Sequence, residues 1–465
     1  MSVSASETSA SAKNPTKQTR GALLAAESSP LGGFVTVTNI GVVEGELERL
    51  TSIPAGPTKI REQRLSRALV GAALAVKDNI HVAGLPNTAA TASLRDFVPT
   101  VDADAVARLR AKGMVVIGKT NMHELALGVT SAHSSSGPVK NAVAPGRIAG
   151  GSSGGTAAVI GSGICEYGLG TDTGGSTRIP AAFNDIWGYR PTFGRYANRG
   201  VVGISRSRDT IGPMSSSLSS IAILDRALAA VSRETPTPIA AKRLGIDVSD
   251  IGYCDAAVAE AISRAIAVLS AAADIHLVPL DLGEIDAKAA QLEPLLAAHE
   301  LAPSLSGYLA AHRALPDLRG VLEETIDPHV AALIGASLEV SASRTGSDVY
   351  KTVLLSMAQL RGEYTEIMRA NGLSAMLRPT VPFVPPTIEA SLQLDMPGRD
   401  RQFREATRFT RLASLAGAPS LSVPLGKTLH CSTVGMLIDG IPGQDEEVFA
   451  IARIVEQILC AEAGG

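Results

Sequence analysis

The chain has 465 residues and a formal net charge of −3, and 45% of its residues are hydrophobic, enough for a sizeable core. That charge offers no basic face to nucleic acid, and aromatic residues at 3% supply no base-stacking platforms. The cysteines, Cys165, Cys254, Cys431 and Cys460, form no CxxC pair, which predicts thiols in a reducing compartment and excludes a disulfide framework or a cysteine-rich metal site.

Residues 1–20 are rich in Ser, Ala, Thr and Lys, the composition of a disordered tail. They lack the apolar core of a secretory signal. No apolar run reaches membrane-spanning length, so a cytoplasmic protein without a membrane partner is expected. From Arg67, "RALVGAALAVKDNI" holds a short apolar run that predicts a buried strand ending at Lys77. "DADAVARLRAKGMVVIGKTN" predicts a helix over 102–111, a stop at Gly113 and a strand in "MVVIG". "SGGTAAVIGSG" predicts a helix from Ser153, whose small residues Ala157, Ala158 and Gly161 permit close packing, and "YGLGTD" a strand after it. From about 236 to 370 the pattern turns helical. "LRPTVPFVPP" reads as an extended segment, "PSLSVPLG" and "VGMLIDG" follow, and "DEEVFAIARIVEQILC" predicts a closing helix. Alternating helix and strand implies an α/β protein. Without a repeat or a linker, one mixed-sheet domain is expected over 21–465.

Two glycine-flanked serine sites, "GGSSGG" and "TDTGGST", carry the chemical signal. "GSSGG" fits the G-x-S-x-G nucleophile elbow, with Ser153 as nucleophile and His430 as the late histidine. The elbow needs a strand directly before it, and "NAVAPGRIAG" reads as a loop. "DTG" at Asp172–Gly174 matches an aspartic protease half-site, but such sites need two carboxylates and the chain has one DTG. A serine hydroxyl needs a base. No histidine lies between the two serine sites, and a buried, neutral lysine can serve instead. Lys77 ends an apolar run, although alone it fits an ordinary strand-end lysine.

"AVKDN", "GGSSGG" and "GTDTGGSTRIPAAF", with Ser176 following Ser152 by 24 residues, resemble the amidase signature family in order and spacing. The resemblance is strong over 65–213 and looser over 377–459. It implies a single α/β domain with a mixed central sheet flanked by helices on both faces, core motifs over 65–215 and a helical substrate-pocket region over about 236–370. It implies a Ser–Ser–Lys triad: Ser176 as nucleophile, Ser152 as the bridging serine after a cis peptide, and Lys77 as base. The amides of Thr173, Gly174, Gly175 and Ser176 would form the oxyanion hole. Asp172 and Arg178 would brace that loop, Asp78 and Asn79 would orient Lys77, Thr173 would steady Ser152, and Ser153 would support the site. His123 and His133 lie near pocket-forming segments and read as structural, as does Trp187 as core.

Substrate choice rests on weaker motifs. "RPTFGRY", "SRDTIGPM", "IDGIPGQD" and "HELAPSLSGYLAAH" are similar to those of mandelamide and indoleacetamide hydrolases, implying a primary aryl or arylalkyl amide. N-substituted amides, hydrazides and carbamates are alternatives, as is the amidase subunit of a tRNA amidotransferase; a non-catalytic scaffold would be expected to have lost part of the triad. The sequence departs from the family in lacking a Pro before the lysine strand, in "STVG" at Ser432–Gly435, and in Arg190 where many members have Lys. No cofactor or metal is implied, and the resemblance implies a homodimer.

Overall fold

The computed structural model describes residues 15–52, 68–229, 242–312, 314–394, 405–427 and 432–463. Eleven strands form one sheet. They are β1 Phe34–Val37, β2 Ala73–Lys77, β3 Val115–Thr120, β4 Tyr167–Asp172, β5 Trp187–Arg190 and β6 Thr210–Ser215, then β7 Lys242–Ile246, β8 Ile275–Pro279, β9 Ala375–Pro379, β10 Ser420–Lys427 and β11 Thr433–Asp439. Their order across the sheet is β1-β3-β2-β4-β6-β5-β10-β11-β9-β7-β8. β3, β2 and β4 run parallel, as do β8, β7 and β9. The remaining pairings are antiparallel, so the sheet is mixed.

Both faces are covered, which is why the central strands read as near-continuous apolar runs. β2 shows the division. Leu74 and Val76 pack with Leu169 and Ile211 against Val106, Leu109 and Leu224, from the helices Asp104–Ala111 and Leu218–Leu228. Ala73 and Ala75 face Leu23, Val43, Leu47 and Val159 on the opposite side. Side chains alternate along a strand, so Lys77 is directed to the side of Ala73 and Ala75, where the helix Gly154–Gly161 lies. That helix sits unusually close to the sheet. A Cβ added at Gly168 of β4 would strike Thr156, its Cγ2 being the nearest atom, so glycine there permits the approach the small-residue pattern predicted.

Three expectations change. The first described helix is Pro15–Ser28, so residues 15–20 belong to folded structure and not to the tail. Thr19, Ala22, Leu23 and Ala26 form its buried stripe, and Thr19 Oγ1 donates to the Gly71 carbonyl at 2.6 Å. The stretch 236–370 is not helical throughout, because β7 and β8 lie within it as a parallel pair. Each is five residues long, too short to break a helical period on sequence grounds alone. Its helices also divide. Ala256–Ser270 packs with the core around Trp187 and Val434, whereas Gly283–Ala311 and Pro328–Ala342 reach the serine loops. Trp187 is core, as expected.

Candidate active site

The three segments singled out by their residues converge at the carboxyl ends of β2 and β4. Lys77 closes β2 and is fully buried; its Nζ donates to Ser152 Oγ at 2.7 Å and to Thr171 Oγ1 at 2.8 Å. Ser152 follows a cis peptide from Gly151 and is also fully buried. Burial penalises the ammonium form and pulls the Lys77 pKa from 10.5 down to about 7, against the opposing pull of Asp172 and Asp209. Asn79 Nδ2 donates to Thr171 Oγ1 at 3.2 Å, so it acts on Lys77 through the threonine. Asp78 turns elsewhere: it pairs with Lys119 at 3.1 Å and accepts from the Thr88 amide and hydroxyl.

Main-chain bonds hold the serine loops together. The Ser153 N–H donates to the Ser176 carbonyl at 3.1 Å, and the His123 N–H to the Ser152 carbonyl at 3.2 Å. Ser131 Oγ accepts from the Gly154 N–H at 3.2 Å. The His123 ring accepts at Nδ1 from the Ser131 N–H and meets Asp327 with Nε2 at 2.7 Å. Asp327, held down at about 2 by that histidine despite its burial, also caps the helix Pro328–Ala342. His123 therefore ties the Ser152 loop to a pocket wall, with the His133 ring 5.9 Å from its own. Ser153 is sealed: its Oγ donates to the Thr171 carbonyl and accepts from the Thr171 N–H. It supports β4 and does not face the cavity, while His430, its suggested partner, lies outside the described residues.

Asp172 organises the second serine loop. Its carboxylate accepts from the amides of Gly175 and Thr177 and from Arg178 and Arg190, with both arginine contacts at 3.0 Å. These cations outweigh desolvation and hold the carboxyl far below its ordinary range. Arg178 continues to the Thr410 carbonyl, Ser414 Oγ and Ser420 Oγ. The bracing role expected of Asp172 and Arg178 is what this geometry provides, with Arg190 as an additional clamp. Two expectations narrow here. The Gly175 amide is committed to Asp172, leaving those of Thr173, Gly174 and Ser176 without a partner inside the loop. Thr173 Oγ1 donates to Asp209 at 2.6 Å, so Thr171, not Thr173, stands beside Lys77 and Ser152.

Ser176 is half-buried at the mouth of a cavity of about 160 Å³. Aliphatic side chains, including Leu127, Val129, Ile179, Ile204 and Leu333, dominate its wall, with Arg208, Glu293 and His329 among them. Sequence reasoning missed Thr171, Asp209, Arg208 and Glu293 as site residues. Thr171 was within reach, since it adjoins Asp172 on the strand paired with β2, whereas Glu293 arrives from a helix more than a hundred residues away in sequence. Among the described residues no cluster of His, Cys, Asp or Glu is arranged to hold a metal.

The Amidase family model matches residues 50–449. An indoleacetamide hydrolase of Pseudomonas savastanoi is 34% identical over 84% of each chain. A mandelamide hydrolase of Pseudomonas putida is 33% identical over 84% of this chain and 79% of its own. A crystal structure of an amidase superposes with a TM-score of 0.78 at 30% identity, covering 96% of both chains. The chain belongs to the amidase family, as an amidohydrolase acting on C–N bonds.

Proposed function

We propose that the protein hydrolyses a small primary amide of an aryl or arylalkyl acid to the acid and ammonia, through an acyl-enzyme on Ser176. The observation that carries this reading is a buried lysine amine hydrogen-bonded to Ser152, one loop away from a serine that faces an aliphatic cavity. Thr171 Oγ1 accepts both from Asn79 and from Lys77 Nζ. Once deprotonated, the amine keeps its hydrogen bond to Thr171 and turns its lone pair, in place of the donated hydrogen, toward Ser152. Neutral Lys77 then draws the Ser152 proton as Ser152 draws that of Ser176, and Ser176 Oγ attacks the amide carbon. On this reading the amides of Thr173, Gly174 and Ser176 receive the developing oxyanion. Ser152 returns the proton to the leaving nitrogen, ammonia departs, and water releases the acid by the same relay. The scheme uses side chains, main-chain amides and water alone.

The indoleacetamide and mandelamide hydrolases among the relatives support an aryl or arylalkyl acyl group, as does the aliphatic cavity wall. The decisive experiment is ammonia release from indoleacetamide, mandelamide, benzamide and a short aliphatic amide, with Ser176→Ala beside wild type. Turnover of the aryl amides by wild type alone, with a Ser176 ester detected by mass spectrometry, is the expected result. Turnover confined to hydrazides or carbamates would replace the substrate assignment, and full activity in Ser176→Ala would remove the mechanism. The family resemblance extends the proposal to a cytoplasmic homodimer, which light scattering and cell fractionation test.

A further inference from the structure

Two charged side chains in the cavity take no part in that scheme. Arg208, just before β6, is 4% exposed. Its Nε donates to Ser205 Oγ at 3.0 Å, and its two terminal nitrogens meet no hydrogen-bond acceptor among the described residues. Glu293, from the helix Gly283–Ala311, is 7% exposed. Its Oε2 is taken by Arg411 Nε at 2.5 Å, with Thr407 Oγ1 at 3.5 Å. Its Oε1 lies over the serine loop, 3.1 Å from where a Cβ on Gly174 would stand. Arg208 NH1 and Glu293 Oε1 are 4.0 Å apart, beyond a direct hydrogen bond. Both line the cavity that Ser176 faces.

Among the described residues, a donor and an acceptor thus stand side by side in an aliphatic cavity without a hydrogen bond between them, and a ligand can complete both. One atom that accepts from the guanidinium while donating to the carboxylate bridges the gap, and a hydroxyl does both. A carboxylate does not, because it has no proton for Glu293 Oε1. We propose that Arg208 and Glu293 form a polar subsite that selects an acyl group bearing a hydroxyl, its oxygen accepting from Arg208 and its proton donated to Glu293. The assignment rests on the amide-hydrolase reading of the cavity and narrows its substrate class.

The test compares kcat/KM for phenylacetamide with its α-hydroxy counterpart mandelamide and with 4-hydroxyphenylacetamide, in wild type, Glu293→Gln and Arg208→Met. A site built to hydrogen-bond a hydroxyl discriminates strongly against the analogue lacking it. Wild type should therefore favour one hydroxylated amide over phenylacetamide by about tenfold or more, with that ratio falling toward one in both variants. Taking the ratio within each variant cancels any loss of folded enzyme. For a variant too slow to assay, the ratio is read as Kd by calorimetry in the Ser176→Ala background. A wild-type ratio near one for both hydroxylated amides overturns the subsite and leaves the amide-hydrolase reading standing. A preference that survives in both variants also overturns it. Turnover of none of the three amides by wild type overturns both.

Discussion

Burial of one amine sets the chemistry expected at single residues. With the Lys77 pKa brought to about 7, its neutral fraction grows as pH rises through that value. The expected kcat/KM profile therefore has an ascending limb centred near pH 7. Lys77→Ala should lose roughly 10²- to 10⁴-fold, the span that general base catalysis supplies, and the ascending limb should vanish with it. A mutant that keeps the limb would assign it to another group. Asp172 works in the opposite sense, as an anion held charged by two buried arginines. Asp172→Asn leaves Arg178 and Arg190 without their counter-charge, a loss of about 3–5 kcal/mol in denaturant unfolding. The folded carboxyl titrates below its unfolded value, so its stabilisation is complete above the ordinary carboxylate range and fades as pH falls through and below it. The acid side of the stability curve should be flatter in the Asn variant.

Elements fix the separations on which those residues depend. β4 can lie against the helix Gly154–Gly161 only because Gly168 leaves room for Thr156. Gly168→Val should cost at least about 1–3 kcal/mol through overpacking, and it should reduce kcat as well, since the displaced helix begins two residues after Ser152. In the second loop Gly175 has φ of 137° and an added Cβ would meet the Thr410 side chain. Gly175→Ala should lower kcat with little change in the pH midpoint, because it distorts the amides without touching Lys77; a shift of that midpoint would contradict the separation of roles. The elements legible in sequence were those with unmistakable punctuation. "AALAVK", "GGTAAVIG" and "YGLGTD" gave β2, the helix Gly154–Gly161 and β4 nearly to the residue. β7 and β8 escaped because strands of five residues, KRLGI and IHLVP, set in a largely helical stretch carry no period of their own.

For the whole molecule, function and stability oppose each other at Lys77. Its folded pKa lies below the ordinary lysine value, so the folded state binds that proton less tightly than the unfolded chain. Its contribution to stability is fully present above the unfolded pKa and is lost as pH falls toward about 7. Unfolding of wild type compared with Lys77→Met should therefore show wild type gaining relative stability between pH 7 and 10. A difference independent of pH would mean the amine keeps its proton when folded. The same buried region holds Asp439, its carboxyl pushed up to about 6 by desolvation and bonded by Ser420 beside Arg178. The ionisable network thus extends from the serine loops to β11.

The chain's own residues determined the class of chemistry. Paired glycine-serine blocks without a histidine between them, and a lysine ending an apolar run, left few ways to activate a serine, and their spacing along the chain is a local property that sequence preserves. The tertiary structure alone decided which neighbours those groups have. It gave Thr171 to Lys77, committed Asp78 to Lys119, turned Thr173 toward Asp209 and closed Ser153 off against β4. It also brought Glu293 from a distant helix against Gly174 and within 4.0 Å of Arg208. Pocket walls are assembled from segments remote in sequence, and a hydrogen bond depends on angles and distances of fractions of an ångström that only the packed sheet and its helices set.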